Sequence, residues 1–155
     1  MTKIKNKTID NSQLSTTKIS ESGIGNYTLD IISGGHQFNA DEPISMGGSD
    51  KGPSPYDLLL SALGSCTAIT IRMYANMKKM PLENIFITLT HKKIYAEDCE
   101  ECHQSEGMID VIYRNIKFEG DLSRQEMDKL IYIADRCPIH RTLTNQVSIQ
   151  TILEK

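Results

Sequence analysis

The chain has 155 residues, of which 24% are charged and 39% hydrophobic, and its formal net charge is -3. That length suits one compact domain, and the composition is that of a globular chain, not a disordered one. There is no block of Lys and Arg able to displace phosphate counterions, so no nucleic-acid partner is expected.

Lys3, Lys5 and Lys7 form an early basic cluster that reads as a solvated tail. Met1 to Gln13 is polar and lacks the apolar core and cleavage site of a signal peptide. No stretch is expected to reach the length that crosses a bilayer. These features predict a cytoplasmic protein without a membrane partner. In a reducing compartment, the four cysteines point to catalysis or metal binding more than to a disulfide framework. Residues 1–21 read as a polar extension or first strand, and 22–155 as a single domain.

Tyr27, Leu29 and Ile31 alternate with polar neighbours, Gly34-Gly35 suits a hairpin turn, and Phe38 falls on the return strand. Asp41 to Ser54, rich in Gly, Pro, Ser and Asp, reads as a loop. Pro55 to Lys79 is the strongest predicted helix. Leu58, Ala62, Cys66, Ile69 and Met73 recur along one side, with Leu59, Leu63, Thr70 and Met77 beside them. So wide a stripe predicts a central helix covered on several sides. Pro81 prevents its continuation.

Ile85, Ile87 and Leu89 alternate in the next strand, and Ile109, Val111 and Tyr113 in the one after. Ile112, Ile116 and Phe118 occupy the other register of that second strand, so it is apolar on both faces and calls for another layer. Ser123-Arg124-Gln125-Glu126 is a capping box, with Leu122 and Met127 as the accompanying staple. The helix it opens presents Met127, Leu130, Ile131, Ala134 and Cys137 on one side until Pro138 interrupts it. Val147, Ile149 and Thr151 form a last predicted strand. The order β-β-α-β-β-α-β, with few parallel crossovers, predicts an α+β fold.

Cys66 and Cys137 both fall on apolar helix faces. A free cysteine there serves equally well as a small buried hydrophobe. A two-thiol redox centre also needs this setting, with one sulfur to attack and a second within disulfide distance.

The motifs around both cysteines resemble those of a known family. Gly52-Pro53-Ser54-Pro55-Tyr56-Asp57-Leu58-Leu59-Leu60 with Ala62-Leu63-Gly64-Ser65-Cys66-Thr67 is similar to the first signature of the OsmC/Ohr family. Asp135-Arg136-Cys137-Pro138-Ile139-His140-Arg141-Thr142-Leu143 is similar to its second, the Cys-Pro motif. The resemblance runs from about Tyr27 to Leu153. It implies an OsmC-like homodimer in which strands of two chains intertwine around two central helices. It also implies a cysteine-based peroxidase, an organic hydroperoxide reductase that protects against oxidative stress.

On that resemblance Cys66 is the peroxidatic residue. Its thiolate attacks the peroxide, an alcohol leaves, and Cys137 condenses with the sulfenic acid to give a disulfide that a dithiol reductant reopens. No cofactor is required. An apolar setting favours organic hydroperoxides, since each buried methylene is worth roughly 0.8 kcal/mol. The better-studied members place an Arg on an N-terminal strand and a Glu directly after the Pro at the helix start. This chain has no Arg before Arg72, and Tyr56 follows Pro55. Asp57 comes one place later, about 100° round the helix. His36, His140, Arg141 and Asp57 are therefore the candidates for activating the thiolate. The missing pair also keeps open a non-catalytic relative that binds a small lipophilic ligand.

Cys99-Glu100-Glu101-Cys102-His103 marks a divergent branch with an acidic CxxC loop. Cys99 and Cys102 with His91 and His103 could complete a zinc site, which would make the protein a zinc-binding redox sensor. The crowded carboxylates of this loop favour a cation and disfavour a thiolate. Free thiols or a local disulfide are the simpler alternative.

Overall fold

The computed structural model describes residues 15–98 and 107–154. Lys3, Lys5, Lys7, Cys99, Glu100, Glu101, Cys102 and His103 lie outside them. The chain divides into two compact units, Met1–Pro55 and Tyr56–Lys155.

In the N-terminal unit, β1 (Thr17–Glu21), β2 (Leu29–Ser33) and β3 (His36–Ala40) form an antiparallel sheet in the order β1-β2-β3. The predicted hairpin is present. Ser33 pairs with His36, and Gly34 and Gly35 have φ of 56° and 81°, the positive pair that a tight two-residue turn requires. Ile31 and Ala40 are the buried apolar residues described in this unit. Its organising contact is polar. Asp41 is buried and accepts from the Thr28 hydroxyl at 2.8 Å and from the amides of Glu42, Ser49 and Lys51 at 2.8, 3.2 and 3.3 Å. Four donors on one carboxylate turn the predicted loop 41–54 into a closed knot.

The long helix α1 (Pro55–Lys78) precedes a ribbon of two long antiparallel strands, β4 (Leu82–Tyr95) and β5 (Met108–Gly120). The short helices α2 (Arg124–Ala134) and α3 (Pro138–Thr144) follow. The ribbon pairs Ile85 with Phe118, Ile87 with Ile116, Leu89 with Arg114 and His91 with Ile112, so one face carries an apolar row interrupted by Arg114. Ile71 and Ala75 of α1 pack with Leu82 of β4 and Leu130 and Ala134 of α2, flanked by Ile85, Ile116, Phe118 and Leu122. Gly64 lets α1 approach the ribbon closely: an added Cβ would lie 2.8 Å from Leu89 Cδ1. Arg72 ties the helix to the start of β4 through the carbonyls of Leu82 and Glu83, at 2.6 and 2.8 Å.

Four expectations from the sequence are corrected. The buried row of α1 is Leu63, Thr67, Ile71 and Ala75, whereas Ile69, Met73 and Met77 are 59%, 68% and 66% exposed. A helix apolar nearly all round does not reveal by periodicity which side meets the sheet, and among the described residues α1 buries the one row. The same 24-residue helix is long and apolar enough to cross a membrane by length and composition, contrary to the expectation that no stretch is. Cys137 does not ride on the second helix. The helix ends at Ala134, and Cys137 is the N-cap of α3 with Pro138 as its first residue. Pro138 therefore starts a helix as well as stopping one. Residues 145–154 form no strand, and Val147, Ile149, Ile152 and Leu153 are exposed. Among the described residues this segment pairs with no strand.

Candidate active site

Cys66 lies about three turns into α1, half-buried, and the sulfur of Cys137 is fully buried beside it. The two side chains are hydrogen-bonded to each other. Pro138 at the start of α3 leaves the next two amides free to point back at the N-cap. The His140 amide donates to Cys137 Sγ at 3.3 Å. The Ile139 amide lies near both sulfurs, with Thr70 near Cys66 and Thr67 near Cys137; the Thr70 and Thr67 hydroxyls themselves donate to the carbonyls of Cys66 and Leu63, each at 2.7 Å.

These donors divide the pair's acidity unevenly. Burial pushes the Cys66 thiol up, and the hydrogen bond to Cys137 and that sulfur's charge push it further; the Ile139 amide and Thr70 offset part of this. Burial also pushes Cys137 up. There it is outweighed by the hydrogen bonds from Cys66, the His140 amide, Thr67 and the Ile139 amide, which together hold Cys137 below the ordinary thiol value. Of the two thiols, Cys137 is therefore the more readily ionised and Cys66 the less.

Of the other candidate residues, His140 meets the sulfur through its main-chain amide. Its side chain lines a cavity of about 230 Å3 with Leu63, Asp110, Ile112, Leu143 and Thr144. Arg141 is exposed near the end of α3, and Asp57 is exposed in the first turn of α1. His36 is exposed on β3, within the N-terminal unit. His91 sits on the inward row of β4. Its Nε2 is 2.7 Å from Asp110 Oδ1, and its ring is stacked on Tyr56 with centroids 4.3 Å apart. The other proposed zinc ligands, Cys99, Cys102 and His103, lie outside the described residues. Among the described residues no group of three or more His, Cys, Asp or Glu side chains could hold a metal.

Sequence reasoning missed Thr67 and Arg114. Arg114 Nη1 donates to Thr67 Oγ1 at 3.1 Å and to the Ala134 carbonyl at 3.3 Å, and Nη2 donates to Asp135 Oδ1 at 2.6 Å. The available signal was a charge in an apolar row: Arg114 shares its register with Ile112, Ile116 and Phe118.

An α+β chain that sets two free cysteines from separate helical segments side by side defines a two-thiol protein. Residues 48–152 match the family model described as OsmC-like protein. The chain belongs to the OsmC-like family. Its fold is shared with the organic hydroperoxide resistance protein OsmC from Legionella pneumophila (18% identity, TM-score 0.62, covering 84% of this chain and 89% of that one). It is also shared with an OsmC-like protein from Mycoplasma pneumoniae (23%, 0.60, 83% and 84%). The organic hydroperoxide resistance protein OhrB of Bacillus subtilis is similar at 16% identity and TM-score 0.57, over 84% and 90% of the two chains. No curated protein matches the chain by sequence.

Proposed function

We propose that the protein is a cytoplasmic, cysteine-based peroxidase that reduces organic hydroperoxides to alcohols. The observation that carries this reading is the hydrogen-bonded pair of Cys66 and Cys137, drawn from segments far apart in the chain. Structures that share the fold carry names of organic hydroperoxide resistance proteins.

Once Cys137 is ionised, its thiolate is the base for the more accessible Cys66. It takes the Cys66 proton, and the Cys66 thiolate attacks the distal peroxide oxygen. The O–O bond breaks, Cys66 becomes a sulfenic acid, and the departing alkoxide takes the proton back from Cys137 to leave as alcohol. The Cys137 thiolate then attacks the Cys66 sulfur and expels hydroxide, and the sulfurs close to a disulfide of about 2.05 Å. An external dithiol supplies the two electrons that reopen it. The two thiols are the whole redox apparatus, and no cofactor enters these steps. The cavity of Leu63, Ile112 and Leu143, beside both cysteine-bearing segments, is the place for the alkyl group.

The working unit is a homodimer. Ile69, Met73 and Met77 on α1 and the segment carrying Val147, Ile149, Ile152 and Leu153 supply the apolar surface that a second copy would cover.

The test is consumption of an alkyl hydroperoxide in the presence of a dithiol. Wild type should turn over, and Cys66→Ser should lose at least about a hundredfold in rate. After one equivalent of oxidant, mass spectrometry should find Cys66 linked to Cys137. Equal and negligible rates for wild type and Cys66→Ser would remove the peroxidase and favour a binding protein.

A further inference from the structure

We infer that Arg114 is a bracket across the two cysteine-bearing segments, and that by holding them together it biases Cys66 and Cys137 toward the disulfide. The inference rests on the two-thiol reading above and adds to it a positioning residue on a third element.

Among the described residues Arg114 makes three hydrogen bonds, and they run to two segments. Nη1 donates to Thr67 Oγ1 at 3.1 Å, on the residue that follows Cys66 in α1. Nη1 also donates to the Ala134 carbonyl at 3.3 Å, and Nη2 donates to Asp135 Oδ1 at 2.6 Å, both just before Cys137 in the chain. The Thr67 hydroxyl gives its own hydrogen to the Leu63 carbonyl at 2.7 Å, which leaves its lone pairs to the guanidinium. The Ala134 carbonyl is also the acceptor of the Cys137 amide, at 3.4 Å. One guanidinium therefore grips α1 beside the first sulfur and the backbone from which the second one hangs.

Burial and charge explain why the grip is firm. Arg114 stands in the row of Ile112, Ile116 and Phe118, with its side chain 14% exposed. A cation withdrawn from water depends on the partners it keeps, and here those partners are the two segments themselves. Its strand is paired with β4 from Met108 to Gly120, so the bracket has a fixed base. The last turn of α2 contains no basic residue, and Arg114 supplies the cation that the negative carboxyl end of a helix favours. A planar fork can serve three acceptors at set angles, which a single ammonium cannot. Two thiols held side by side close to a disulfide more readily than two on segments free to part, because less freedom is lost on closing.

The test equilibrates the full-length protein with mixtures of reduced and oxidised dithiothreitol. Cys66 and Cys137 together give two electrons and two protons to the oxidised reagent, which opens to its dithiol as the protein disulfide forms. Peptide mass spectrometry reads the fraction of Cys66 linked to Cys137. Arg114→Gln should lower the equilibrium constant for the disulfide about tenfold, which raises the reduction potential of the pair by about 30 mV. Arg114→Lys should recover part of the change. Asp135→Asn, which removes one partner and keeps the guanidinium, should lower the constant by a smaller factor. An Arg114 that only stabilises the fold would lower the melting temperature of reduced and oxidised protein alike and leave the constant unchanged. That result in Arg114→Gln overturns the proposal; should this variant not fold, an unchanged constant in Asp135→Asn overturns it. The measurement uses no hydroperoxide, so shifted constants in a protein that consumes none would sink the peroxidase reading alone.

Discussion

Asp41 in the N-terminal unit and Cys137 in the C-terminal unit are buried acceptors served by nearly the same donors. Each accepts from main-chain amides and has one threonine beside it, Thr28 at Asp41 and Thr67 at Cys137. For Asp41, burial pushes the carboxyl up, and the hydrogen bonds from Thr28 and the amides of Glu42, Lys51 and Ser49 outweigh it, so it is held below its ordinary value. Its donors all come from within 24 residues of chain, and the result is a fixed loop. Cys137 draws its donors from α1 and α3 and has a second thiol against it. The same hydrogen-bonding kit closes a loop in one place and in the other favours the charged form of one of two neighbouring thiols.

The two units also differ in what stabilises them, apolar packing in the C-terminal unit and polar closure in the N-terminal one. Leu130→Ala, in the core of the C-terminal unit, should cost about 2–5 kcal/mol in a denaturant melt. A loss below 1 kcal/mol would show that this core collapses around the gap. Asp41→Asn should cost less and should differ in its pH dependence. Because Asp41 is more acidic folded than unfolded, its stabilisation is present above about pH 4 and disappears as pH falls through the lower folded value. Stability of the Asn variant should lack that acid limb, and identical acid profiles would mean the carboxylate does not hold the loop. Ser123→Ala removes the side chain that accepts from the Glu126 amide and caps α2. It should cost about 1 kcal/mol, read from the same melts.

Local chemistry was legible in the sequence wherever its consequence was local. The Gly34-Gly35 turn, the Ser123 capping box and the alternation of Ile85, Ile87 and Leu89 each name their own element. The α1 face was not legible, because a helix with apolar residues on most sides fits several rotations. Cys137 was assigned to the wrong helix because Cys-Pro reads equally as a stop and as a start. The two cysteines were found through their motifs. Arg114 was passed over because its partners, Thr67, Ala134 and Asp135, come from two other elements that no periodicity connects. A lone charge in an apolar strand row was the one mark it left.

A helix whose capping atom is a sulfur has a lid that oxidation can loosen. When Cys137 is a thiolate it grips the first turn of α3 as a strong acceptor; once bonded to another sulfur it has little left to offer the His140 amide. Solvent exchange at that single amide should quicken in the oxidised protein, so a seven-residue helix would register the electron count of the pair.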